Sequence, residues 1–173
     1  MRNTKSELQS IQEWYRYNSF VRKKYLEVIF SPKISEKERY KSRGASYPSL
    51  VDIFVHVLDA YRWWFLYAYN DNISKSKNLR EQKKYSKKEV AREERKIDSR
   101  VMDFVNSLRP EDLDKVLTVH EGPTQTWTIK VSVMLLHMIE EELQHRGELN
   151  ALLWQINVEP PVIEYQDYSN LRK

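Results

Sequence analysis

The 173-residue sequence contains no cysteine and only three glycines. The absence of cysteine excludes disulfide bonds, thiolate zinc sites, iron–sulfur clusters and cysteine nucleophiles. So few glycines disfavour a β-sandwich or β-barrel, whose many turns use glycine, and favour a mostly helical protein. No segment approaches the roughly 18 apolar residues of a membrane-spanning helix, and residues 1–10 lack the apolar core of a signal peptide. We therefore expect a cytoplasmic protein with no membrane partner.

The residues that are present are typical of one folded domain spanning residues 1–173. Hydrophobic residues make up 40% of the chain and charged residues 31%, with a net charge of +4. Residues 75–100 hold 11 Lys or Arg against 5 Asp or Glu. Acidic residues alternate with the basic ones there at helical spacing, and Tyr85 is the only aromatic. This pattern favours a solvated loop and surface helix over a nucleic-acid patch, so nucleic acid is not the expected partner.

Hydrophobic periodicity predicts four long helices, at residues 4–30, 48–69, 86–108 and 128–155. Ser86 and Glu89 have the spacing of a capping box at the start of the third helix, and Pro48 is typical of a first helical turn. Residues 116–127 predict short extended pieces, and an extended tail is expected after Pro160. Together these features predict an all-α four-helix bundle.

The fourth predicted helix carries polar residues on its apolar face. Glu141 and His145 are four residues apart, so their side chains overlie one another, and they share this face with Met138. An unpaired carboxylate is costly to bury there. The second predicted helix carries His56 on an equally apolar face. His56, Glu141 and His145 form a two-histidine, one-carboxylate set that can hold Zn²⁺, Fe²⁺, Mn²⁺ or Ni²⁺ and leave positions open.

A buried ion pair is the alternative interpretation of these residues. Glu141 would then pair with a histidine, joined by Arg62 or Arg146. His137, at the edge of the same face, is a candidate fourth ligand, but it is expected rather to support a ligand or to pack within the bundle. His120 falls in a predicted loop, where exposure is expected, although loops at the end of a bundle can line a site.

Two segments carry a family resemblance. Residues 136–149 read LHMIEEELQHRGEL and are followed by ALLW and Pro160-Pro161, and residues 50–64 read LVDIFVHVLDAYRWW. These segments resemble the fourth and second helices of the DinB family, whose fourth helix carries a His, three residues, and then His-Arg-Gly-Gln-Leu. The resemblance implies an up-down-down-up bundle, often dimeric, with a divalent metal held by three histidines. An apolar surplus around the second predicted helix favours the same homodimer.

The chain departs from the family pattern at two positions. Glu141 stands where the family has its middle histidine, and Glu148 stands where it has glutamine. A glutamate keeps a metal ligand but adds a negative charge, which favours harder metals. The resemblance thus implies a metal site at His56, Glu141 and His145, with a metal preference that differs from the family's.

The resemblance also implies an activity. Family members are often thiol-dependent transferases or isomerases in which the metal binds the thiolate of a low-molecular-weight cofactor. On this interpretation Trp63 and Tyr67 would line a pocket for a small-molecule substrate. No residue stands out as a general base, since Glu142 and Glu148 qualify only by closeness in sequence and Glu142 points away from the ligand face. The alternative is a non-catalytic, stress-related bundle in which the metal or a Glu–His pair only joins two helices.

Overall fold

A computed structural model describes residues 4–69, 85–121, 125–161 and 163–171. In chain order its elements are α1 (Thr4–Ile29), α2 (Glu36–Arg39), α3 (Leu50–Arg62), α4 (Lys87–Ser107), β1 (Val116–Glu121), β2 (Gln125–Lys130), α5 (Val131–Trp154) and α6 (Tyr165–Asn170). A π-helical segment, Trp63–Ala68, continues α3, and a 3₁₀ turn, Pro110–Asp114, follows α4. The four long helices confirm the predicted all-α bundle.

Side-chain caps explain where two of the helices begin. The Ser86 hydroxyl accepts from the backbone N–H of Glu89, and the Glu89 carboxylate accepts from the backbone N–H of Ser86. This is the predicted capping box, and it satisfies two N–H groups that a helix start leaves without partners. α3 begins two residues later than predicted, because Ser49 is its N-cap and accepts from the N–H of Asp52.

The predicted extended pieces pair as an antiparallel hairpin, in which Val119 lies opposite Trp127. β2 runs to Lys130, so α5 begins at Val131 and not at residue 128. The pairing satisfies the backbone groups of residues 128–130 within the hairpin, which the helical pattern alone does not reveal. The expected extended tail is also wrong in part, since α6 folds onto α1 and buries Tyr168.

Contacting residue pairs show the directions of the long helices. α1 and α5 run parallel, α3 with its π-helical segment runs antiparallel to α5, and α4 runs antiparallel to α1. The pairs are Tyr15–Leu135 and Tyr25–Asn150 for α1 and α5, His56–Glu141 and Trp64–His137 for α3 and α5, and Gln12–Val105 and Arg22–Asp98 for α1 and α4. The bundle therefore has the up-down-down-up order.

The apolar surplus of α3 is buried within the single chain. Ile53, Leu58 and Tyr61 are all fully covered, because α3 packs against both α4 and α5. This finding removes the reason for placing a dimer interface on α3. The large apolar side chains that stay exposed on α5 are Val133, Leu136, Leu143 and Trp154. Among the helices of the described residues, none has the length and apolar character needed to cross a membrane.

Candidate metal centre

Two helices bring the three predicted ligands together. His56 lies in the middle of α3, and Glu141 and His145 lie one turn apart on the facing helix α5. Nε2 of His56 is 2.7 Å from Oε1 of Glu141, and Nε2 of His145 is 3.1 Å from the same oxygen. One ligand atom of each residue lies within 4.8 Å of the other two. The residues identified from the sequence therefore form one cluster that could hold a metal ion.

The donor chemistry of this cluster fits a divalent transition metal. Two imidazole nitrogens and one carboxylate oxygen are ligands that Zn²⁺, Fe²⁺, Mn²⁺ and Ni²⁺ accept. Both Nε2 atoms face one carboxylate oxygen, so a cation that displaces their protons meets three converging donors. The side chains of His56 and Glu141 are 15% and 18% exposed, which leaves one side of the cluster accessible.

Hydrogen bonds shift the pKa values of Glu141 and His145. Those from His145 and His56 hold the pKa of the Glu141 carboxyl well below its usual range, although burial opposes them. Burial alone would lower the pKa of His145, but its hydrogen bonds to Glu141 and Glu148 outweigh burial and raise that pKa above its usual value. Both shifts favour an ionised Glu141 beside a protonated His145.

The two arginines considered for this ion pair have other partners. Arg146 donates to the side-chain oxygen of Asn18 at 2.9 Å and lies 3.5 Å from Glu142. Arg62 lies 3.8 Å from Asp59 on its own helix. Neither arginine therefore pairs with Glu141, whose hydrogen-bond partners are the two imidazoles.

Three further residues surround the cluster. Oε2 of Glu148 is 3.1 Å from Nδ1 of His145, and the Ser46 hydroxyl lies 2.7 and 2.8 Å from the two Glu148 oxygens. The ring of Tyr47 stacks on the His56 ring, with centroids 3.8 Å apart. The three-residue helical spacing from His145 could have indicated the role of Glu148. No sequence pattern indicates Ser46 and Tyr47, because they reach the cluster only through the course of the loop before α3.

Trp63, expected to line the pocket, belongs instead to an aromatic cluster near the hairpin, and His137 packs there too, which is one of its predicted roles. Trp63 packs edge-on against Trp64 and stacks with Trp127 of β2, with centroids 6.5 Å apart. His137 contacts Trp64, and its Nδ1 is 3.5 Å from Glu140. The physical reason is distance along the helix: Trp63 lies two turns beyond His56, where α3 faces the hairpin.

His120, also expected near the site, does not contribute to the cluster. His120 is exposed on β1, where its Nδ1 lies 3.1 Å from the hydroxyl of Thr126 on the paired strand. It is part of a hairpin and not of a loop that lines the site. The side chain of Tyr67 lies outside the described residues, as do residues 75–84 of the basic segment.

Glu142, considered as a general base, belongs to a separate buried network. Its Oε2 accepts from Nη1 of Arg22 and from the hydroxyl of Tyr61, both at 2.7 Å. Nη2 of Arg22 also donates to Asp98 at 2.8 Å. Burial alone would lower the pKa of Arg22, but the neighbouring Glu142, Tyr61 and Asp98 raise it above its usual value. Glu142 therefore points away from the candidate ligands, as predicted, and its carboxylate is already paired.

Comparisons with known proteins identify the family of this chain. The profile of the DinB family matches residues 1–172. The crystal structure of a DinB-like protein from Bacillus subtilis is similar, with a TM-score of 0.59 and 15% sequence identity over 86% of this chain and 96% of that one. At this identity the structural similarity shows the fold alone. Comparison with curated proteins gives no match. Because the family profile spans almost the whole sequence, the chain belongs to the DinB family.

Proposed function

We propose that this protein binds one divalent transition metal through His56, Glu141 and His145 and acts as a metal-dependent enzyme on a small molecule, with a low-molecular-weight thiol as co-substrate. The observation that carries this proposal is the convergence of two Nε2 atoms on one Glu141 oxygen. When bound, a metal with open positions lowers the pKa of a coordinated water or thiol and so supplies a nucleophile.

The surroundings of the cluster favour a reaction that needs no separate general base. Glu142 is engaged by Arg22 and Tyr61, and Glu148 faces His145. The two carboxylates considered as general bases are thus occupied in holding other groups. A transferase or isomerase reaction of a bound thiolate fits this arrangement better than a reaction in which a free carboxylate removes a proton from the substrate.

Elemental analysis of the tag-free protein tests the metal site. We expect about one equivalent of a transition metal in the wild type and its loss in Glu141→Ala and His145→Ala. Glu140→Ala is the matched control, because Glu140 lies beside Glu141 on α5 but is 69% exposed. No metal in the wild type after incubation with Zn²⁺, Mn²⁺, Fe²⁺ or Ni²⁺ would overturn the proposal.

Titration of the Co²⁺-loaded protein with small thiols tests the activity class. A thiolate that coordinates the metal adds a sulfur ligand and should change the visible Co²⁺ spectrum. The change should be absent in His145→Ala, which lacks one of the ligands. An unchanged spectrum across several thiols would contradict the thiol-dependent reaction while leaving metal binding intact.

A non-catalytic role is the second candidate, and one observation favours it. Glu141 already accepts hydrogen bonds from α3 and from its own helix, so the cluster joins the two helices even without a metal. In that case metal would raise the melting temperature of the protein, but thiols would leave the Co²⁺ spectrum unchanged. The thiol titration therefore separates the two candidates.

We also propose that the protein forms a homodimer through the exposed face of α5. Val133, Leu136, Leu143 and Trp154 lie along this face. A second copy of the same face can cover it symmetrically, as in most dimers. Light scattering should give the mass of a dimer for the wild type and of a monomer for Leu136→Glu. A monomeric wild type would contradict the proposal.

A further inference from the structure

We infer that Glu148 is a positioning residue that fixes which nitrogen of His145 faces the metal. This inference rests on the proposed metal site. Glu148 follows His145 by three residues on α5, so both side chains lie on the same face. Its Oε2 is 3.1 Å from Nδ1 of His145, while Nε2 of the same ring is 3.1 Å from Glu141. The two carboxylates therefore hold the ring from opposite sides.

The chemistry of imidazole determines which nitrogen of His145 is available to the metal. A metal-binding histidine offers one nitrogen without hydrogen and carries its proton on the other. A carboxylate accepts hydrogen bonds and cannot donate one while ionised. Opposite Glu148, Nδ1 must therefore carry hydrogen, and Nε2 is left as the nitrogen for the metal. The negative charge also makes the ring a stronger base and so a better ligand.

The loop before α3 holds Glu148 in turn. The Ser46 hydroxyl lies within hydrogen-bond distance of both Glu148 oxygens, at 2.7 and 2.8 Å. The next residue, Tyr47, stacks on His56. Two consecutive loop residues therefore orient both imidazoles, one through Glu148 and the other by direct ring contact. Glu148 is also only partly exposed, which limits competition from water.

The chain offers a graded set of variants for testing this role. Glu148→Gln keeps a carbonyl oxygen that can accept from Nδ1, as the glutamine of the family pattern would, but removes the charge. Glu148→Met keeps a similar length and removes the acceptor. Glu140→Met is the matched control, because Glu140 is exposed on the same helix.

The experiment measures Zn²⁺ affinity by competition with a chromophoric chelator. Glu148→Met should weaken Zn²⁺ binding about 10- to 100-fold, and Glu148→Gln should recover part of that loss. Long-range ¹H–¹⁵N NMR of the Zn²⁺-loaded protein reads the tautomer directly. It should show Nδ1–H at His145 in the wild type and in Glu148→Gln, and a mixture of tautomers in Glu148→Met. Glu140→Met should match the wild type in both measurements.

The outcomes separate this inference from the proposed function. A wild type without Zn²⁺ affinity overturns both. A wild type that binds Zn²⁺, beside a Glu148→Met protein with the same affinity and the same tautomer, overturns the positioning role alone. Should Glu148→Met fail to fold, Ser46→Ala takes its place, since Ser46 is exposed and its loss frees Glu148. We then expect a loss of less than about tenfold in affinity, and no loss would overturn the inference.

Discussion

Glu141 and Glu142 are neighbours on α5 but bind chemically different partners. Glu141 faces two imidazoles, whose nitrogens can exchange a proton for a metal. Glu142 faces the guanidinium of Arg22 and the hydroxyl of Tyr61. A guanidinium has no acceptor and stays protonated at all ordinary pH values, so it cannot become a ligand. The partner, and not the carboxylate, makes one of these positions a candidate site and the other a structural element.

The two carboxylates also differ in burial. Arg22 and Glu142 are 4% and 5% exposed, whereas the Glu141 cluster has an accessible side. Removing one member of a fully buried ion pair leaves an uncompensated charge, which costs far more than at a partly hydrated site. We therefore expect stability to depend mainly on the Glu142 network and metal binding mainly on the Glu141 cluster.

The largest expected effect concerns the buried network. Arg22→Met leaves Glu142 and Asp98 without their guanidinium, so the free energy of unfolding should fall by about 3–5 kcal/mol. Urea denaturation measures this loss. Glu141→Gln, measured beside it in metal-free protein, should lose less than half as much. Equal losses would remove the distinction between the two carboxylates.

Metal binding should stabilise the protein through the Glu141 cluster alone. Zn²⁺ at 100 times its dissociation constant should raise the free energy of unfolding by about 2.7 kcal/mol in the wild type. His145→Ala should show no such gain, because it lacks a ligand. Arg22→Met should keep the gain despite its lower stability. A gain that is lost in Arg22→Met would show that the two regions are coupled.

The pH dependence of stability should differ between the regions in metal-free protein. Glu141 has a lowered pKa, so its contribution is present above about pH 4.3, the usual glutamate value, and is lost as pH falls through the folded-state pKa. His145 has a raised pKa, so its contribution is present below about pH 6.5 and is lost as pH rises through the folded-state value. The cluster therefore contributes most between these two pH values.

A comparison of variants by urea denaturation checks this window. The stability difference between the wild type and His145→Gln should shrink from pH 6 to pH 9. The difference between the wild type and Glu140→Gln should stay flat over that range, because Glu140 is 69% exposed and lies outside the cluster. A flat profile for both variants would contradict the assigned ion pair.

The smallest expected effect also lies in the buried network. Among the described residues, Oε1 of Glu94 has no hydrogen-bond partner, and it is 3.7 Å from Nε of Arg22. Burial raises the pKa of Glu94, although Arg22 opposes the shift. Glu94→Gln should therefore change the free energy of unfolding by less than about 1 kcal/mol. Asp98→Asn should cost more, since Asp98 accepts from both Arg22 and Lys23.

Local spacing explains what could be predicted from the sequence. The four-residue step from Glu141 to His145 is a property of one helix, and the apolar faces of the long helices follow from periodicity. Assignment of His56 to the same site needed more, because 85 residues separate it from Glu141. Polar residues on two apolar helix faces predict that pairing, the family resemblance implies it as well, and the contact between α3 and α5 is where the structure places the two residues.

The parts that could not be predicted depend on tertiary contacts. Arg22 reads as an ordinary charged residue of α1, and nothing near it in sequence indicates that it pairs with Glu142 across the bundle. Ser46 and Tyr47 belong to a loop whose course follows no periodic rule. Trp63 lies two turns from His56, and its contacts with Trp64 and Trp127 depend on where the hairpin packs, which helix periodicity does not give.

The π-helical segment Trp63–Ala68 has a consequence for chain length. A π-turn holds more residues per turn than an α-turn, because each hydrogen bond spans one more residue. The segment therefore contains more residues than a straight α-helix of the same length. Deletion of one residue between positions 63 and 68 should let α3 continue as an uninterrupted α-helix, whereas a deletion in the middle of α3 would rotate all later side chains by about 100°. A single-residue gap in this segment is thus the length change that the bundle should tolerate best.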